Sequence, residues 1–148
     1  MTDIMQPSGR FPVEDLPDDW ADEHDDGTMP ANVAELAGHV VGRKIVSVGP
    51  GSVKKYGTLS ATVLTLDDGS EVALVDTDDC CAYTELESFL LNVENIDHVI
   101  LGVEATDRYT TWHIFADLGD VMTMKVGWSC GNPFYYGYGF DIRVTPSA

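Results

Sequence analysis

An α+β fold, with one mainly antiparallel twisted sheet and two short helices behind a disordered acidic N-terminal arm, is what the sequence predicts, and three observations predict it. Through the second half of the chain apolar residues alternate with polar ones in run after run, as half-buried antiparallel strands require. Two shorter stretches repeat apolar residues at helical spacing instead. Residues 1–32 hold neither period and carry nine carboxylates against one base, which divides the chain into an acidic arm at 1–32 and one α+β domain at 33–148.

In the arm, residues 14–26 hold eight carboxylates and no base, interrupted by Pro17, Trp20 and His24. Like charges four apart repel along a helix, so a solvated segment is expected. Phe11, Val13, Leu16 and Trp20 are the side chains such a segment would use as anchors on folding against a partner.

Val33, Leu36, Ala37, Val40 and Val41 then fall on one helical face, with Asn32 and Glu35 placed as cap and N3 partner and Gly42 as the stop. Residues 44–48 read as a strand closed by the breaker run Gly49-Pro50-Gly51-Ser52. Residues 59–67 and 70–75 read as a hairpin through Asp68-Gly69, because a tight turn demands the positive φ that glycine tolerates. Thr84 with Glu87 has the spacing of a capping box, and Leu86, Phe89, Leu90 and Val93 give a second helix ending near Asn95. A β-meander follows at 99–106, 109–116, 121–128 and 138–144, with turns at Asp107-Arg108 and around Gly119. Tyr138, Phe140, Ile142 and Val144 share one face of its last strand.

The net charge is −17, and the domain, with sixteen acids and seven bases, is negative in its own right. Such a field repels nucleic acid and anionic membrane, since phosphate binding needs Lys or Arg to displace counterions. A basic protein is therefore the expected partner, with no direct nucleic-acid binding and no membrane association. The apolar fraction of 44% still supports a packed core. Cys80, Cys81 and Cys130 are odd in number and two are adjacent, which suits reduced thiols better than a disulfide framework. With no apolar run of spanning length and no signal-peptide pattern at the N-terminus, a cytoplasmic location is expected.

Reactive residue types are densest at Asp76-Thr77-Asp78-Asp79-Cys80-Cys81-Ala82-Tyr83. Cys80 or Cys81 could serve as a nucleophile with His113 or His98 as base, although the neighbouring carboxylates would raise a thiol pKa. Cys80, Cys81, Cys130 and His113 are zinc-ligand types, yet adjacent cysteines lack the two-residue gap of a knuckle, and Asp76, Asp78 and Asp79 lack the rest of a calcium loop. Small buried fillers and turn caps account for these residues, and no cofactor or catalytic set is predicted. The second concentration is aromatic: Trp128, Phe134, Tyr135, Tyr136 and Tyr138, with Phe140 at its end. Rings in excess of one buried face suit a contact surface, to which Trp20 of the arm would add. Lys125 and Arg143 alone do not make the basic groove that a single-stranded nucleic-acid platform needs.

Leu64-Thr65-Leu66-Asp67-Asp68-Gly69, Asp78-Asp79-Cys80-Cys81-Ala82-Tyr83-Thr84-Glu85 and the stretch from Gly127 to Phe140 together resemble a family of uncharacterised small acidic proteins encoded mainly by actinobacterial phages. The resemblance spans roughly Gly42 to Val144. It implies a phage product acting in the cytoplasm of an infected cell, and it implies no activity, cofactor or site residue. The expected function is a non-enzymatic acidic protein-binding module that binds or inhibits a host protein, its carboxylates standing in for DNA phosphates in one version. The alternatives are a virion component, or a thiol- or metal-dependent protein using Asp78, Asp79, Cys80 and Cys81 with His113 and Cys130.

Overall fold

The computed structural model describes residues 28–54, 58–78, 83–129 and 139–146. Among them lie a helix α1 (Thr28–Val40) and the strands β1 (Ile45–Lys54), β2 (Thr58–Leu66), β3 (Glu71–Val75), β4 (Thr77–Asp78), β5 (Tyr83–Leu91), β6 (Gly102–Thr106), β7 (Thr111–Ala116), β8 (Gly119–Ser129) and β9 (Asp141–Thr145). None of the described helices is long and apolar enough to cross a membrane.

The strands form two antiparallel sheets where one was expected. The first runs β1-β2-β3-β9 and the second β4-β5-β8-β7-β6. The chain changes sheets at Asp76, the residue between β3 and β4. Both sheets and the helix share one core, with Leu64, Leu66, Val72 and Leu74 from the first sheet and Trp112, Ile114, Met122, Met124 and Val126 from the second. Period-two alternation says that a strand has one buried face but does not say which strand lies beside it, so the number of sheets was not legible in the pattern.

Helix α1 takes in residues ahead of the expected start at Val33: Met29 is fully buried with Val33, Leu36 and Val40. Asn32 is accordingly inside the helix and does not cap it. Its side-chain amide donates to the Phe140 carbonyl at 3.0 Å, and its Oδ1 accepts from the Phe140 N–H at 2.8 Å. Phe140 sits just before the ladder of β9, so these are the partners its buried backbone groups need. Gly42, at φ +86°, ends the helix as expected.

Gly49-Pro50-Gly51-Ser52 does not close a strand but lies within β1. That strand is the edge of its sheet, where the N–H that proline lacks is not required by a second neighbour. The β2–β3 hairpin forms at Asp68-Gly69 as expected, with Gly69 at φ +88°. The Asp68 carboxylate accepts from the Ser70 hydroxyl at 2.6 Å and from its N–H at 3.0 Å, which holds its pKa below the usual carboxylate value, with Arg43 nearby adding to the effect.

The second helix is replaced by strand β5. Leu86 pairs with Val126, Phe89 with Met124 and Leu91 with Met122, and a bulge lies between Leu86 and Ser88. The extra residue shifts the alternation by one, so Leu86 and Phe89, three apart, point to the same side of the sheet. That spacing imitates a helical period. Thr84 makes no capping box either: it is fully buried and its hydroxyl accepts from the Gly139 N–H at 2.7 Å.

Strands β6, β7 and β8 follow the expected meander, whereas β9 crosses to the first sheet and pairs with β3. There Phe140 is buried against Trp112, while Val144, on an edge strand, is 40% exposed. The β6–β7 turn carries Asp107, Arg108 and Tyr109 at φ 56°, 56° and 63°. A left-handed conformation costs a non-glycine residue about 1–2 kcal/mol, so this turn must be held. The Trp112 indole donates to the Tyr109 carbonyl and the Trp128 indole to the Arg108 carbonyl, each at 2.9 Å, and Thr111 donates to the Asp107 carboxylate at 3.0 Å.

Candidate functional site

Residues paired across an antiparallel sheet project to the same side, so the pairing writes out the face of the second sheet that turns away from the core. One row runs Glu104, His113, Thr123, Leu90, the next Thr106, Thr111, Lys125, Ser88, and beyond them Gly127 stands opposite Glu85.

Strands β6 to β8 give this face a fixed polar floor. His113 Nδ1 lies 2.7 Å from Asp120 Oδ2 and its Nε2 lies 3.0 Å from Thr106 Oγ1. The same Asp120 oxygen accepts from the Thr123 hydroxyl at 2.7 Å, and Lys125 donates to Thr111 at 3.1 Å. Asp120 Oδ1 is buried with no hydrogen-bond partner among the described residues. With both ring nitrogens engaged and only 13% of its side chain exposed, His113 is a strut joining three strands.

Strand β5 gives the face a different border. Strand β4 covers only Tyr83 and Thr84, so from Glu85 to Leu91 the outer edge of β5 has no neighbouring strand among the described residues. The Asp76 carboxylate accepts from the Leu86 N–H there at 3.2 Å. Burial pushes the Asp76 pKa up and the Glu85 charge adds to that, against the opposing pull of the Leu86 N–H. Glu85 and Glu87 are exposed and crowd over Gly127, where a Cβ would stand 2.5 Å from Glu87 Oε2 and 3.5 Å from Glu85 Cγ. Further along, Phe89 is 41% and Leu90 69% exposed, and Val93 just past the strand is 70% exposed. The strand thus presents an acidic half followed by an apolar half, both in water.

The residues singled out from sequence are distributed differently. Trp128 ends β8 half-buried, its indole bonded to Arg108 and its ring edge-on to Tyr109 at 6.4 Å, so it supports the left-handed turn. Trp20, Phe134, Tyr135, Tyr136 and Tyr138 lie outside the described residues, as do Asp79, Cys80, Cys81 and Cys130. Asp78 is on β4 and His113 on β7, with β5 and β8 between them. Three strand steps alone set them roughly 14 Å apart, and the register adds an offset of six residues along β8, so the structure does not gather them into one site. His98, the other candidate base, pairs with Asp117 at 2.9 Å. No group of three or more His, Cys, Asp or Glu suited to a metal ion occurs among the described residues. Phe89 and Leu90 were missed as site residues because they were assigned to the buried face of a helix. Three consecutive apolar residues, Phe89, Leu90 and Leu91, exceed what one face of a strand can bury, and that was the available signal.

Residues 38–142 match the family model of a domain of unknown function, DUF7448. No curated protein and no solved structure matches the chain.

Proposed function

The chain belongs to the DUF7448 family, and we propose that it works there as an acidic protein-binding domain, with β5 at the centre of the contact and a basic protein as partner. The observation that carries this is the exposure of Phe89 and Leu90 on a strand that also presents Glu85 and Glu87. Covering a large apolar side chain is worth about 1.5–3 kcal/mol, and two such residues beside paired carboxylates match a partner whose apolar surface is flanked by Lys or Arg. The net charge of −17 would speed that encounter and keep nucleic acid away. A phage factor directed at a host protein fits this chemistry, and if the partner's basic surface normally holds DNA, the carboxylates would occupy the place of its phosphates.

The test is affinity capture from a bacterial lysate with the parent protein and with the double variant Phe89→Ser, Leu90→Ser. A basic protein held by the parent and lost by an equally stable variant is the expected result, and duplex DNA should displace it if the two compete. Equal retention of all captured proteins by parent and variant would refute the reading.

A further inference from the structure

Among the described residues, the edge of β5 is guarded at one end only. Near its start the two-residue β4 covers Tyr83 and Thr84, Asp76 caps the Leu86 N–H, a bulge falls between Leu86 and Ser88, and Glu85 and Glu87 add charge. Short partners, bulges and charged side chains are the devices by which proteins keep edge strands from pairing with other chains. From Ser88 to Leu91 none of them is present among the described residues: the pairing to β8 is regular and two of the four residues are large, apolar and exposed.

We propose that residues 88–91 form a strand-addition site, at which an extended segment of the partner joins the second sheet alongside β5. This deepens the function proposed above and rests on it. The segment alternates apolar residues, which lie beside Phe89 on the core side of the sheet, with lysine or arginine on the outer side, whose stems cover Leu90 and whose charges reach the carboxylates of Glu85 and Glu87 over Gly127. Backbone hydrogen bonds to the open edge supply affinity, and the alternating side chains supply selectivity. A second copy of this chain is disfavoured as the occupant, because it would bring the same carboxylates and the same −17 charge to the edge.

The test uses a seven-residue synthetic peptide alternating lysine and valine, and the same peptide with alternate backbone amides N-methylated. The unmodified peptide should slow amide hydrogen exchange at residues 88–91 and should bind Glu85→Gln, Glu87→Gln more weakly and with a shallower salt dependence. N-methylation should weaken binding by about tenfold or more, since it removes strand hydrogen bonds and leaves charge intact. Equal binding of the two peptides, protection located elsewhere, or no binding of either would overturn the site. So would protection of residues 88–91 in the absence of peptide together with a dimer in sedimentation, which would assign the edge to self-pairing. These outcomes are separable from the broader reading: a partner captured through Phe89 and Leu90 but displaced equally by both peptides leaves the binding domain standing and removes strand addition.

Discussion

The indole N–H of the fully buried Trp112 donates to the carbonyl of Tyr109 at 2.9 Å, so one core side chain both fills the interior and fastens a left-handed turn. Trp112→Phe keeps an apolar ring but removes that hydrogen bond and leaves part of the pocket empty. A loss of about 2–4 kcal/mol is expected from the two effects together, read from the midpoint of urea unfolding.

Asn32 and Gly139 form a second coupled pair. Asn32→Ala removes both bonds to Phe140 and should cost about 2–4 kcal/mol. Gly139→Ala should also destabilise, because its Cβ would stand 2.9 Å from Asn32 Cγ and its φ is +113°. Combined, the changes should cost less than their sum, since Asn32→Ala removes the two nearest contacts and leaves the approach of its own Cβ at 3.2 Å and the backbone strain. Strict additivity in a double-mutant cycle would show that the two residues do not meet.

Truncation tests where the folded body begins. Sequence periodicity alone places that point at Val33, so that removal of residues 1–32 would leave the domain intact. The structure has Met29 and Asn32 buried ahead of it. Deletion of 1–32 should therefore lower the melting temperature well below that of a 1–27 deletion, which keeps both side chains, in parallel thermal scans.

Asp76 predicts a pH dependence. Its folded pKa is raised, mainly by burial, so the native state holds the proton more tightly than the unfolded chain. That contribution to stability is fully present below the unfolded value of about 3.9 and is lost as pH rises through the folded value. At neutral pH Asp76→Asn should stabilise, because an amide oxygen still accepts from Leu86 while the buried charge is gone. The gain should stay under about 1 kcal/mol given the solvent screening of a half-exposed group. It should vanish in acid, and a variant stabilised equally at both pH values would contradict the assignment.

Local structure was legible where one residue type settles it. Gly42 ends the helix, Gly69 makes the hairpin turn, and the apolar alternation of β7 and β8 marks them as strands. The bulge at Glu87 was not legible, and with it the candidate site was lost, because one inserted residue turns a strand's period into an apparent helix's. The strand at Gly49-Pro50-Gly51 was hidden for a different reason: whether proline breaks a strand depends on whether that strand is an edge, which only tertiary structure decides. His113 was noticed as a reactive type, yet its partners Thr106 and Asp120 come from neighbouring strands through the register, which composition does not reveal.

The bonds between Asn32 and Phe140 span 108 positions of the chain, and β9, which completes the first sheet, lies just beyond them. On a ribosome adding roughly 5–20 residues per second, α1 emerges about 5 to 20 s before the backbone that satisfies Asn32. Strands β4 to β8 are all synthesised within that interval and can pair among themselves, whereas β3 must wait with one edge open. The second sheet can therefore be completed while the first still lacks β9, and a released chain ending before Gly139 would hold a formed β5 beside an incomplete core, able to meet a partner although the domain has not closed.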